Sequence, residues 1–265
     1  MSRVGERFAD LRAKGEGALV CFINSGDPDL ETTGSLVFAL EDAGADIVEL
    51  GVPFSDPLMD GPVIQLSSQR ALLGGTSPGQ ILELTAAVRR RSQIPLVLMT
   101  CANPVYQYGG ERFARDAAAA GVDGVIVTDL PPEEARDWKS AAAAFDLDTI
   151  FLLAPTSTDA RIERVAEMCS GFIYCVSRAG VTGVRRDAPE EIAELLSKIK
   201  SVTNTPTAVG FGISSPEHVR RVCRMADGAV VGSAIVSMAN EKAGCPDLLE
   251  SVGRYVCDLK AATRV

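Results

Sequence analysis

The sequence predicts an α/β protein of the (β/α)8 TIM-barrel class: one domain over residues 1–265, with an extra N-terminal helix. Three observations carry this. Eight short apolar runs recur along the 265 residues, each followed by a stretch of helical periodicity. The runs are continuously apolar rather than alternating, as strands covered on both faces are. A phrase also recurs: Ala43-Gly44-Ala45-Asp46-Ile47-Val48, Ala120-Gly121-Val122-Asp123-Gly124-Val125 and Met225-Ala226-Asp227-Gly228-Ala229-Val230. Each copy closes a helix on small residues and opens a strand just past an aspartate, which is a degenerate βα repeat. Eight alternating units favour a closed barrel over a doubly wound open sheet.

Taken in order, Arg3 to Arg12 puts Val4, Phe8 and Leu11 on one helical face. Residues 18–24 form the first strand, and Ser25-Gly26-Asp27-Pro28-Asp29 turns it into a helix over 31–43. The second strand is 46–50. A proline-rich acidic loop follows, then a helix over 63–73. Ser77 before Pro78 is a helix start, with a cap ahead of a proline in the first turn. The remaining pairs are strand 95–100 with helix 111–120, strand 124–127 with helix 133–145, and strand 149–153 with helix 158–168. Strand 172–176 with helix 189–202 and strand 206–209 with a helix from Ser214-Ser215-Pro216-Glu217 to Arg224 come next. Residues 227–231 are the last strand, and two short helices close the chain. Trp138 and Phe145 stand at helical spacing and read as packing.

Charge narrows the function. The net charge of −9 leaves no basic face for nucleic acid or an anionic membrane, while a phosphorylated metabolite can still bind backbone N–H groups. The seven cysteines are odd in number and form no C-x-x-C, so they read as reduced thiols in a cytoplasmic protein. With one histidine and no ligand cluster, no metal site is expected. Residues 1–17 are charged throughout, unlike a signal peptide, and no apolar run reaches the length of a membrane span.

Two places look like a site. Glu49 ends the second strand among apolar neighbours. It runs into a loop in which Pro53, Pro57 and Pro62 stiffen the backbone and present Asp56 and Asp60 at defined places. In a barrel, sites lie at the C-terminal ends of strands, where Glu49 is. The plainer alternative is a solvated strand-end acid. The second place is a set of late loops rich in glycine: 177–183, Gly210-Phe211-Gly212-Ile213-Ser214, and Gly232-Ser233-Ala234 at the start of a helix. Loops after strands seven and eight of a barrel often bind phosphate with a helix N-terminus; tight turns are the plainer alternative. Arg178 serves either as a ligand or as a surface charge. His218, in a first turn, reads as an exposed surface group. Tyr174 lies in the sixth strand, and periodicity leaves open whether it faces the barrel mouth or a helix.

Several strings together resemble the tryptophan synthase alpha subunit family over nearly the whole chain. They are Glu49-Leu50-Gly51-Val52-Pro53-Phe54-Ser55-Asp56-Pro57-Leu58-Met59-Asp60-Gly61-Pro62, Gly26-Asp27-Pro28, Asp129-Leu130-Pro131-Pro132, Ala154-Pro155-Thr156, Ser177-Arg178-Ala179-Gly180-Val181-Thr182-Gly183 and Gly210-Phe211-Gly212-Ile213-Ser214. The first is highly specific. The resemblance implies retro-aldol cleavage of indole-3-glycerol phosphate to indole and D-glyceraldehyde 3-phosphate. It also implies a beta-subunit partner in an alpha2beta2 heterotetramer, to which indole passes. No cofactor is implied for this half; pyridoxal phosphate is expected only in the beta partner. By the same resemblance Glu49 is the general acid/base and Asp60 sits by the indole N–H. Phe22, Cys101 and Tyr174 belong to the substrate pocket, Thr182 and Gly183 to a closing loop, and Gly183, Gly212, Gly232 and Ser233 to the phosphate site. Pro53, Asp56, Pro57, Asn103 and Pro132 fall on the partner interface. Two positions depart from the family pattern: Met59 stands where a small residue is usual, and Cys101 where an aromatic is. Two other readings share these residues: a stand-alone lyase releasing free indole, and a weakly catalytic subunit that mainly activates a beta partner.

Overall fold

The computed structural model describes residues 2–176, 188–210 and 212–264. Among these, every pairing in the main sheet is parallel. The strands are β1 (Ala18–Asn24), β2 (Ile47–Gly51), β3 (Leu96–Thr100), β4 (Gly124–Val127), β5 (Asp148–Ile150), β6 (Leu152–Leu153), β7 (Ile173–Val176), β8 (Thr207–Gly210) and β9 (Gly228–Val231). Their order is β5-β4-β3-β2-β1-β9-β8-β7-β6. The two ends of that order are one stretch of chain. The fifth stave is interrupted at Phe151; its first half pairs with β4 and its second with β7, so the ring closes through it. The nine strands therefore make the eight staves expected of the barrel.

The helices are α1 (Arg3–Lys14), α2 (Leu30–Asp42), α3 (Pro62–Leu73), α4 (Pro78–Arg89), α5 (Ala102–Tyr108) and α6 (Gly110–Ala120). They continue with α7 (Arg136–Ala143), α8 (Asp159–Met168), α9 (Ala188–Val202), α10 (Pro216–Cys223), α11 (Ser233–Glu241) and α12 (Leu248–Ala261). Predicted starts at Ser77 and Ser215 hold: each precedes a proline in the first turn, and Ser215 accepts from the His218 N–H at 3.2 Å. Three expectations change. α5 is additional, a seven-residue helix too short for periodicity to show; its first N–H donates to Asp129 Oδ1 at 2.6 Å. The helix expected over 133–145 shrinks to α7, because Glu133 and Glu134 stay in the turn that follows Pro131 and Pro132. The last helix is 14 residues rather than short.

Two apolar layers follow from the strand alternation. One set of side chains points outward under the helices. The other fills the barrel, with Val20, Ile47, Val97, Ile126, Ile150, Ala208 and Val230 in one cluster. Val4, Phe8 and Leu11 of α1 join that inner cluster, and the Phe8 ring lies 5.7 Å from that of Phe172. The extra helix is thus the plug in the N-terminal end of the barrel.

The recurring aspartates explain themselves here. Asp46 accepts from the Leu19 N–H at 2.6 Å, Asp123 from Leu96 at 2.8 Å and Asp227 from Thr207 at 2.9 Å. Each latches the start of its own strand to the start of a neighbouring one. The same carboxylates hold the plug: Arg7 pairs with Asp46 at 2.5 Å, Arg3 with Asp123 at 2.8 Å and Arg12 with Asp227 at 3.2 Å. Arg89 and Lys260, both largely buried, complete Asp123 and Asp46 at 2.8 Å each.

Candidate active site

At the C-terminal end of the barrel, most staves contribute to one cavity of about 310 Å³. Phe22, Met99, Leu152, Tyr174, Val176 and Val230 line it from the strands. Thr128 lines it just past β4. Met59, Asp60, Gly61 and Ile64 close it from the loop and helix after β2, and Gly212 to Ser214 with Gly232 to Ala234 close the opposite wall. A smaller side chamber of about 20 Å³ adjoins it, between Phe22, Asp60 and Thr128 on one side and Cys101, Asn24 and Ser68 on the other.

Glu49 shares the inward face of β2 with Ile47, two residues below. Its register neighbours are Phe22 and Val97. The side chain is wholly buried, and among the described residues neither carboxylate oxygen has a hydrogen-bond partner. Such a group resists ionisation, because charge has lost its solvent and gained no donor. Burial pushes the Glu49 carboxyl up to about 8. Asp60 is raised less, to about 6, again by burial. The two carboxyls therefore divide around neutral pH, Glu49 mostly protonated and Asp60 mostly ionised, as an acid and an electrostatic partner must be.

Tyr174 faces inward, which resolves the ambiguity left by periodicity. It is buried, lines the cavity and is held neutral by burial, with Glu49 and Asp60 both disfavouring its ionisation. Gly210 at the end of β8 exists for this ring: a Cβ there would overlap the Tyr174 hydroxyl and come within 2.7 Å of its ring carbons. Gly51 does the same for Phe22, whose ring carbon would be 2.6 Å from a Cβ.

On the opposite wall, Gly232 caps α11, whose first turn has N–H groups with no intrahelical acceptor. Gly212 is at φ +72, a conformation glycine adopts without cost. These groups and Ser233 open onto the cavity. Thr182, Gly183 and Arg178 lie outside the described residues. Cys101 is half-buried at the start of α5, 3.7 Å from Thr128 Oγ1, and lines the side chamber rather than the main cavity. Among the described residues no cluster of three or more acids, histidines or cysteines is placed to hold a metal, and no helix is long and apolar enough to cross a membrane.

Residues 8–263 match the family model described as tryptophan synthase alpha chain. The chain belongs to the tryptophan synthase alpha chain family. It is 53% identical to the tryptophan synthase alpha chain of Citrifermentans bemidjiense, over 98% of this chain and 97% of that one. A tryptophan synthase subunit alpha from Legionella pneumophila superposes with a TM-score of 0.92 at 34% identity, over 99% and 98% of the two chains. A tryptophan synthase structure from M. tuberculosis gives 0.90 at 36% identity over the full length of both. Membership makes the chain a lyase of tryptophan biosynthesis on a TIM barrel.

Set against the family pattern, the interface residues divide. Asp56 and Asn103 are exposed and Pro57 is half-buried, but Pro53 and Pro132 are buried in the chain itself and offer almost no surface. The exposed apolar groups of the rim are instead Leu58, 91% exposed, and Tyr106, 80% exposed. His218, expected as an exposed surface group, is instead half-buried, and its Nδ1 has no partner among the described residues. The aspartate latches went unassigned in the sequence, although their spacing was visible as the repeat.

Proposed function

We infer that the cavity binds indole-3-glycerol phosphate and that Glu49 and Asp60 cleave it to indole and D-glyceraldehyde 3-phosphate. The observation that carries the assignment of roles is Glu49, a buried carboxyl without partners among the described residues, on the inward face of β2 two residues before the strand's C-terminal end. A retro-aldol split needs a proton delivered to indole C3, which makes the ring an electrophilic indolenine. It then needs a proton removed from the hydroxyl on the glycerol carbon bonded to indole C3, as that carbon–carbon bond breaks and the carbon becomes the aldehyde. A carboxyl poised near 8 is protonated at neutral pH and serves first as acid, then as base. Because the side chain has no exposed surface, it must change rotamer, or its neighbours must shift, for it to meet the substrate. Positive charge develops on the indole nitrogen, and ionised Asp60 stabilises it. The phosphate sits on the N–H groups of Gly212, Gly232 and Ser233, where the α11 dipole favours an anion.

Partner docking belongs to the same face. Asp56, Leu58, Asn103 and Tyr106 are exposed and follow β2 and β3, so they lie at the same end of the barrel as the cavity. A beta subunit seated there receives indole and carries the pyridoxal phosphate chemistry, in an alpha2beta2 assembly in the cytoplasm. The test is indole release from indole-3-glycerol phosphate by the purified chain, with and without a beta subunit. Turnover in Glu49→Gln is expected to fall by about two to four orders of magnitude. Near-normal turnover removes Glu49 from the mechanism.

A further inference from the structure

We propose that Arg70 and Asp27, with Ser67 and Asn24, are positioning residues: they brace α3 against the ends of β1 and β2 and thereby hold Asp60 in place for catalysis. The proposal rests on the functional reading above. The face α3 buries is Ile64, Ser67, Ser68 and Ala71, while Leu66, Leu72 and Leu73 face solvent. Apolar burial is non-directional and would leave such a helix free to turn or slide. Hydrogen bonds replace it. The Asp27 carboxylate accepts from Arg70 Nε at 2.8 Å, from Arg70 Nη2 at 2.7 Å and from Ser67 Oγ at 2.5 Å. A two-point guanidinium fork fixes rotation as well as distance. Asp27 is itself buried, three residues past the end of β1.

Asn24 carries the brace to β2. The amide orientation that satisfies every group turns its oxygen to Ser68, whose N–H lies at 2.9 Å and hydroxyl at 3.1 Å. Its N–H then donates to the Gly51 carbonyl at 3.3 Å. Gly51 is two residues past Glu49 on the same strand. At the other end, Asp60 stands two residues before Pro62, and Gln65 Nε2 donates to the Asp60 carbonyl at 2.9 Å. From Arg70 back to Pro62 is about 12 Å of stiff helix at 1.5 Å per residue. The brace thus ties the element that carries Asp60 to the strand that carries Glu49.

The test uses the full chain with Arg70→Lys, which keeps the charge and loses the fork, and with the milder Ser67→Ala. Indole release is measured between about pH 5 and pH 9 and scaled to folded protein, with melting curves alongside. Arg70→Lys is expected to lower kcat about ten- to a hundredfold, the effect of a displacement near 1 Å, with a smaller loss in Ser67→Ala and little change in KM. The acidic limb, set by Asp60, should move to lower pH as the freed loop regains solvent. The groups that face Asp60 are Tyr174 on β7 and Cys101 at the start of α5, both raised and therefore neutral in this range. A lower melting temperature with kcat per folded chain and the acidic limb unchanged means a purely structural network, and overturns the proposal. A wild-type chain that releases no indole defeats the functional reading instead.

Discussion

Replacing Glu49 with glutamine should make the protein's stability less sensitive to alkali. Each tenfold change in proton affinity corresponds to about 1.4 kcal/mol. In the native state the carboxyl is raised from its ordinary 4.5 to about 8. The sign follows from linkage. The native state binds the Glu49 proton more tightly than the unfolded chain does, so stability from this group is fully present below about pH 4.5. It is lost as pH rises towards 8. Between pH 5 and pH 8 the loss from this one group is about 3 to 4 kcal/mol. Glutamine has the same shape and no proton to lose, so that slope should vanish. The absolute stability of the variant is a poorer guide, because a buried amide without partners has its own desolvation cost of about 1–3 kcal/mol. The assay is urea unfolding of both proteins at several pH values, comparing the change of each with pH. Parallel curves for wild type and Glu49→Gln would show that Glu49 titrates normally, and with that the acid/base argument would fall.

Other consequences are open to measurement. The rate of cleavage should describe a bell with limbs near 6 and 8, rising as Asp60 ionises and falling as Glu49 loses its proton; a rate that keeps rising above about pH 9 contradicts the assignment. Gly210→Ala should displace the Tyr174 ring into the cavity and raise KM about tenfold or more, with a structure of the variant showing the ring moved. Asp123→Ala takes the carboxylate partner from the largely buried Arg89 guanidinium, which keeps only carbonyl acceptors, and leaves the Leu96 N–H without its acceptor. It should cost about 3–5 kcal/mol in denaturant unfolding, with turnover per folded molecule preserved.

How much of this was legible before the structure depends on what kind of force sets each feature. The staves were legible because a strand covered on both faces must be continuously apolar, and Val20, Ile47 and Val97 obey that without exception. Glu49 stood out for the same reason, as a charge inside such a run with no basic residue near it in sequence. α5 was not legible: seven residues hold too few turns for a period, and its start is fixed by Asp129, a contact made across 27 positions. The break at Phe151 left no mark either, since Ile150 to Leu153 are apolar on both sides of it. Burial of Pro53 and Pro132 was missed because rigid loops read as surface loops, whereas here the stiff backbone is folded onto the barrel. Asp27 was visible within Gly26-Asp27-Pro28, but its partner Arg70 lies 43 residues away, and no local pattern pairs them.

The plug at the bottom of the barrel sets a timetable. α1 is made before the strands it plugs, and its three arginines find Asp46, Asp123 and Asp227 only after the chain carrying each has been made. Through most of synthesis Val4, Phe8 and Leu11 have no barrel to enter, and an amphipathic helix this short is marginal alone. A segment made before the barrel is thus among the last to be seated. The nascent chain carries its own stopper as an unseated apolar segment, a natural handle for chaperones, until the last strand of the barrel closes the ring.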